Sequence, residues 1–124
     1  MKERVVVLGA SSKPDRYSYK AIALLQEHDH TPIPVSVRDE EILGLKAVKS
    51  ISQIDEPIDT VTLYVNPKIL SEVVDDIIAI RPKRVIMNPG TESPEAAEQF
   101  KQHGIRVLEA CTLVLLKTNQ YSKA

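Results

Sequence analysis

Val5-Val6-Val7-Leu8-Gly9-Ala10-Ser11-Ser12-Lys13-Pro14-Asp15-Arg16-Tyr17-Ser18 is the stretch whose reading decides the fold. Val5 to Leu8 is a short, continuous apolar run of β-branched type, the pattern of a strand covered on both faces. Gly9 breaks it with a residue that tolerates backbone angles others avoid and lets a ligand approach the chain. Small hydroxyl residues follow, then two cations, Lys13 and Arg16. From Tyr19 to Glu27, Ala21, Ile22, Leu24 and Leu25 form a helical stripe, and Ser18 is read as its N-cap. A strand, a turn and a helix N-terminus with free N–H groups make a natural seat for phosphate.

Strand and helix patterns continue to alternate outward from this unit. Pro32-Ile33-Pro34-Val35-Ser36-Val37 reads as a second strand, with an irregular or poorly paired entry because its prolines lack N–H donors. The acidic stretch from Arg38 turns at Gly44, and Leu45 to Ser50 reads as a short extended piece. Ile51 to Ile54 is one helical turn. Thr60 to Val65 is a β-branched strand ended by Asn66-Pro67. Lys68 to Ile80 is a helix with Ile69, Leu70, Val73, Val74, Ile77 and Ile78 on one face. Arg84 to Met87 is a fourth strand. Ser93 caps a helix that begins with Pro94 and ends at Gly104. Ile105 to Leu108 is a fifth strand, and Cys111 to Leu116 is either a helical turn or a short strand. The polar tail from Asn119 to Ala124 is expected to fray. Together these elements predict an α/β fold: one doubly wound, Rossmann-type domain over residues 1–124, with about five mostly parallel strands and helices on both faces.

In such sheets ligands lie beyond the C-terminal ends of the strands, where strand order reverses. The exits to examine are Gly9-Ala10-Ser11, Val37-Arg38, Val65-Asn66-Pro67 and Met87-Asn88-Pro89-Gly90. In the classical strand order three of them flank one crevice, and the second lies beside the first. A dinucleotide loop carries Gly-x-Gly-x-x-Gly. Here only its first glycine is present, with Ser11 and Pro14 in the other two places. Strand two of such enzymes ends in an acid that holds the ribose hydroxyls. Here Arg38 comes first and Asp39 follows. Lys13, Arg16 and Arg38 suit a phosphate-rich ligand with one phosphate on its sugar, and coenzyme A and NADP both qualify.

The motif Gly9 to Ser18 resembles the opening of the small stand-alone CoA-binding proteins, which are similar to the CoA-binding domain of the succinyl-CoA synthetase α-subunit. The likeness runs over nearly the whole chain: Pro34-Val35-Ser36-Val37 matches the family's second strand, Glu41-Ile42-Leu43-Gly44-Leu45-Lys46 its Gly-containing segment, and Tyr64-Val65-Asn66-Pro67 and Asn88-Pro89-Gly90 its later exits. The resemblance implies that Gly9, Ala10, Ser11, Ser12 and Lys13 hold the CoA diphosphate and the nearby ribose phosphate. Arg16 and Ser18, in the same motif, complete that candidate set. It implies that Val37 and Arg38 border the adenosine, and that Val65, Asn66, Pro67, Asn88, Pro89 and Gly90 line the path of the pantetheine arm. The chain departs from the family twice. Val37-Arg38-Asp39 stands where an Asn-Pro pair is common, and an apolar run follows Cys111 where polar residues are common.

The bulk composition fits. With 124 residues and a net charge of −1, the chain offers no basic field for a nucleic acid backbone. One cysteine, Cys111, excludes an intrachain disulfide. No apolar run approaches the roughly 20 residues of a membrane span. Met1-Lys2-Glu3-Arg4 leads straight into a strand with no room for a signal peptide, so the expected compartment is the cytoplasm. His28, His30 and His103 fall at helix ends, where capping or exposure explains them. Asp39-Glu40-Glu41 and Asp75-Asp76 are read as solvated, and Cys111 as a small buried hydrophobe. No metal-ligand spacing or catalytic constellation is present. The expected function is therefore a non-catalytic module that binds coenzyme A or an acyl-CoA and acts as a carrier, sensor or regulatory partner. The alternatives are an NADP-binding oxidoreductase-like protein and a ligand-free interaction domain. A small domain with strand edges can also form a homodimer.

Overall fold

Val5, Val6 and Val7 are fully enclosed, and their alternation places them in two different cores. The computed structural model describes residues 2–124, and Met1 lies outside the described residues. Strand β1 (Arg4–Leu8) is flanked by β2 (Thr31–Val35) and β5 (Thr60–Leu63), with β6 (Arg84–Met87) and β7 (Arg106–Glu109) beyond. All five run parallel in the order β2-β1-β5-β6-β7. Helices α1 (Tyr17–Glu27) and α4 (Thr112–Lys117) cover one face, while α2 (Pro67–Ala79) and α3 (Pro94–Gln102) cover the other. Val5 and Val7 pack with Ile22, Leu25 and Leu116 on the α1/α4 face. Val6 and Leu8 pack with Leu70, Ile77 and Phe100 on the α2/α3 face. Each such side chain contributes about 1.5–3 kcal/mol by leaving water. The fold is the expected Rossmann-like α/β domain, with its strand order reversing between β1 and β5.

Several local expectations change. Helix α1 starts at Tyr17 with Arg16 in the N-cap position and no side-chain cap. Ser18 therefore lies inside the first turn, buried, and is not the N-cap. Strand β2 ends at Val35, and its prolines do not disturb it: Val5 faces Pro32 and Val7 faces Pro34 in unbroken register. The reason is the edge position. The Pro34 carbonyl points outward to the Val48 N–H, so the proline nitrogen, on the same side, faces away from β1. Beyond β2 the chain forms a small antiparallel hairpin, β3 (Glu41–Ile42) and β4 (Leu45–Lys46), joined by Leu43-Gly44. A single 3-10 turn, Ile51–Gln53, then leads into β5.

The tail does not fray. Tyr121 is only 2% exposed, and the Arg84 guanidinium lies 4.4 Å above its ring. The Ala124 carbonyl oxygen accepts from Arg84 Nη1 and Arg106 Nη2, each at 2.7 Å. A cation stacked on a partly desolvated aromatic ring and two charge-assisted hydrogen bonds outweigh the polar composition of the segment.

His30 belongs to the same cluster and is buried, against the expectation of helix capping or exposure. Its Nδ1 accepts the Glu3 N–H at 3.0 Å, so the ring must be neutral there. Burial pushes its pKa below the ordinary 6.5, and the nearby Glu3 carboxylate only partly opposes this. The unfolded chain therefore binds this proton more readily, and stability falls as pH drops from about 6.5 through the lower native pKa. Asp59 does not contribute in that window. Burial would raise its carboxyl pKa, but the Arg4 N–H and the Lys83 ammonium outweigh burial and hold it below 3.8. The melting temperature of the wild type is expected to drop between pH 7 and pH 5 by more than that of His30→Asn, whose amide oxygen can accept the same N–H. Parallel losses in the two proteins would show that His30 is not the acid-sensitive group.

Candidate functional site

The four exits lie side by side along one edge of the sheet, in the order of β2, β1, β5 and β6. At the centre Gly9 has φ +86°, and a Cβ there would stand 2.6 Å from the Tyr64 carbonyl oxygen and 2.9 Å from Val65 Cγ1. The missing side chain makes room for the neighbouring exit of this chain. The Tyr64 N–H donates to the Leu8 carbonyl at 2.9 Å, which fixes that neighbour in place. Gly9 is thus the residue that lets the β1 and β5 exits close against each other.

The loop's donors are largely occupied. The N–H groups of Gly9 and Ala10 both donate to the Val35 carbonyl, at 3.2 and 3.0 Å. The Lys13 N–H donates to Ser11 Oγ at 3.1 Å. Ser12 donates its N–H to Asp39 Oδ2 at 3.0 Å and its hydroxyl to Asp39 Oδ1 at 2.9 Å. This last pair joins the β1 loop to the β2 exit and brings Lys13 and Arg38 to one junction. Lys13, Arg16 and Arg38 are exposed, and none forms an ion pair among the described residues. Val37 is 81% exposed and Tyr17 is 68% exposed, so the junction also offers uncovered apolar surface.

At the β2 exit the buried Ser36 bends the chain. Its Oγ accepts the N–H groups of Arg38 and Asp39 at 3.3 and 3.1 Å. At the β5 exit Asn66 caps α2, its Oδ1 accepting the Ile69 N–H at 2.8 Å, and Pro67 opens the helix. Asn followed by Pro is a helix-start signature, legible from the sequence but read there only as the end of a strand. Val65 is half-buried beside Gly9, while Asn66 and Pro67 are exposed.

Asn88, at the β6 exit, is 2% exposed and faces inward. Its Nδ2 donates to Thr62 Oγ1 at 2.7 Å and to the Leu63 carbonyl at 2.8 Å, and its Oδ1 accepts the Thr112 N–H at 2.8 Å. Thr62 and Thr112 also bond each other at 2.8 Å. The Asn88 amide therefore ties β5, β6 and the start of α4 together, leaving Pro89 and Gly90 as the exposed part of this exit. The Gly90 N–H is held by the Glu92 carboxylate at 2.8 Å. Tyr64 lies half-buried between these exits, and burial raises its hydroxyl pKa to about 12, so it is a neutral phenol. Cys111 precedes α4 as a half-buried free thiol.

Sequence reasoning missed the roles of Ser36, Thr62, Thr112 and Asp39. Asp39 had a signal, a carboxylate just past strand two, but stood in an acidic run that reads as solvated. His28 and His103 are helix C-cap residues, as their positions suggested. Among the described residues no three His, Cys, Asp or Glu side chains gather as metal ligands. No helix among them is long and apolar enough to cross a membrane.

The CoA binding domain profile matches residues 3–117. The uncharacterized protein YneT of Bacillus subtilis is 31% identical over 106 residues, covering 86% of this chain and 78% of that protein. The alpha subunit of the ADP-forming acetate–CoA ligase II of Pyrococcus furiosus is 32% identical over 71 residues, which are 56% of this chain and 16% of that subunit. A crystal structure of an uncharacterized protein superposes with a TM-score of 0.92 at 38% identity, covering 97% of this chain and 98% of its own. With a matching profile over nearly its whole length and a relative 31% identical over 86% of its residues, the chain belongs to the CoA binding domain family.

Proposed function

We propose that this chain binds coenzyme A or an acyl-CoA along the C-terminal edge of its sheet and acts as a non-catalytic carrier, sensor or regulatory module. The observation that carries the reading is the junction at Ser12 and Asp39, which gathers Lys13 and Arg38 beside exposed Val37, with Arg16 in the same loop and none of the three cations paired among the described residues. Cations beside an uncovered apolar surface suit a phosphorylated nucleoside, the charges taking phosphates and Val37 packing against the base. Family membership supports coenzyme A over other ligands of this chemistry. Val65, Pro67, Pro89 and Gly90 then offer the path for the pantetheine arm. The reading includes no chemical step: two carboxylates of this edge, Asp39 and Glu92, are engaged by Ser12 and by the Gly90 N–H, and Tyr64 is a neutral phenol. Asp39, with both oxygens turned to Ser12, is not presented to ribose hydroxyls as an NAD site requires, and between NADP and coenzyme A, which both suit the three cations, the family match favours coenzyme A.

Calorimetric titration with coenzyme A and with dephospho-CoA tests the reading. One ribose phosphate held by Lys13 or Arg38 is expected to make coenzyme A bind about tenfold tighter, a charge-assisted contact of about 1.5 kcal/mol. The advantage shrinks as salt is raised, since these cations are exposed. Equal affinity for both compounds would remove the assignment of Lys13 and Arg38 to the ribose phosphate. No binding of either compound, by calorimetry or by native mass spectrometry of the mixtures, would remove the coenzyme reading.

A further inference from the structure

We infer that the Asp39 carboxylate is a built-in competitor for the ligand's phosphate: it engages the Ser12 N–H and hydroxyl and must yield them when a phosphate takes those donors. The inference rests on the coenzyme reading for its ligand but on the loop geometry for its mechanism. The buried Ser36 hydroxyl, bonded to the N–H groups of Arg38 and Asp39, sets the turn that aims Asp39 back across the junction. Both carboxylate oxygens then engage one residue, Oδ2 the Ser12 N–H and Oδ1 the Ser12 hydroxyl. A backbone N–H paired with a hydroxyl is a donor set that grips two oxygens of one anionic group, and a phosphoryl group presents the same pair of acceptors. The neighbouring N–H groups of Gly9 and Ala10 are bound to a strand carbonyl, and breaking those bonds would open the sheet edge. The acceptor on Ser12 is a half-buried side chain at the surface, which can leave by rotation about its own Cα–Cβ bond without breaking a backbone pairing.

This arrangement has a consequence for selectivity. Asp39 places a negative charge among Lys13, Arg16 and Arg38, so an arriving phosphate meets both the attraction of the cations and the repulsion of the carboxylate. A ligand with a single phosphate gains too little to displace it. A ligand with several phosphates engages Lys13 and Arg38 as well and does displace it. Asp39 is thus a specificity-determining residue that raises the charge a ligand must carry. If Asp39 were only a strut between two loops, its removal would loosen Ser12 and weaken binding.

The test is a calorimetric titration of the wild type, Asp39→Asn and Asp39→Ala with coenzyme A and with inorganic pyrophosphate, each protein checked for folding by circular dichroism. Removing a like charge from beside the phosphate is expected to tighten both probes by about tenfold in both variants, less so at high salt. Unchanged or weaker binding in the folded variants overturns the competitor role. Equal binding of coenzyme A by all three proteins leaves the coenzyme reading standing and removes the competitor. Tighter pyrophosphate binding by the variants, with no coenzyme A binding by any protein, keeps the competitor and removes the coenzyme reading. No binding of either probe by any protein removes both. Asp39→Asn preserves the size of the side chain, so it reports even if Asp39→Ala fails to fold.

Discussion

Gly9→Ala is expected to lower the stability of the fold by about 3 kcal/mol and to abolish the response to coenzyme A. Two costs add. The residue has φ +86°, and a side chain in that left-handed region costs about 1–2 kcal/mol. The new Cβ would also stand 2.6 Å from the Tyr64 carbonyl oxygen, and overpacking of this kind costs about 1–3 kcal/mol. The obstructing atom cannot move away cheaply, because Tyr64 donates its N–H to the Leu8 carbonyl and so belongs to the β1–β5 pairing. Relief must come from separating the two exits, which shifts Ser11, Ser12 and Lys13 relative to Val65 and the β5 exit and so splits the binding edge. Gly104 supplies the control. It has φ +75°, and a Cβ there would meet nothing within 4 Å. Gly104→Ala carries the conformational cost alone and is expected to lose only about 1–2 kcal/mol. Denaturant unfolding of the two variants separates the effects, and equal losses would mean that the contact with Tyr64 has no weight.

The fold was legible wherever one element carried its own signal. The β-branched runs of β1, β5 and β6 announce strands buried on both faces, and their alternate residues supply the two cores. Ser93, Pro94 and Gly104 mark both ends of α3, where Ser93 Oγ accepts the Ala96 N–H at 3.2 Å. What stayed hidden was set by partners far away in the chain. The prolines of β2 are harmless because that strand is at an edge, a fact of strand order that its own residues do not carry. The tail docks because Tyr121 meets Arg84 and His30, and composition alone does not reveal such an anchor. At the site the exposed cations were legible, since charge type is written in each residue. The assignment of N–H groups was not: Gly9 and Ala10 look open in the sequence, yet the Val35 carbonyl takes both. Asp39 is one of three consecutive acids, and only the fold distinguishes it, by bringing Ser12 across to it from 27 residues away.

Asn88→Ala is expected to cost about 3 kcal/mol or more, a large effect for a residue with no part in the apolar core. The side chain satisfies a hydroxyl and a carbonyl on β5 and an N–H at the start of α4, and each buried polar group left without a partner costs about 1–3 kcal/mol. Thr62 and Thr112 can still bond each other, which limits the loss on the hydroxyl side. The Leu63 carbonyl and the Thr112 N–H have no such second partner, so β5 and the start of α4 lose their tie to β6. Asn88→Asp separates hydrogen bonding from packing. It keeps the acceptor for Thr112 but turns a second oxygen toward the Leu63 carbonyl, inside a site that is 2% exposed in the wild type. Burial and that carbonyl both favour the protonated acid, so the native pKa is raised above the roughly 3.9 of an unfolded aspartate. The folded variant then binds its proton more tightly than the unfolded chain, and it loses stability as pH rises through the carboxyl range. Its deficit relative to wild type is expected to be larger at pH 7 than at pH 5, whereas Asn88→Ala shows the same deficit at both. An Asn88→Asp protein whose deficit does not change with pH would mean that water reaches this position, and that the β5 and β6 exits are held by their strands alone.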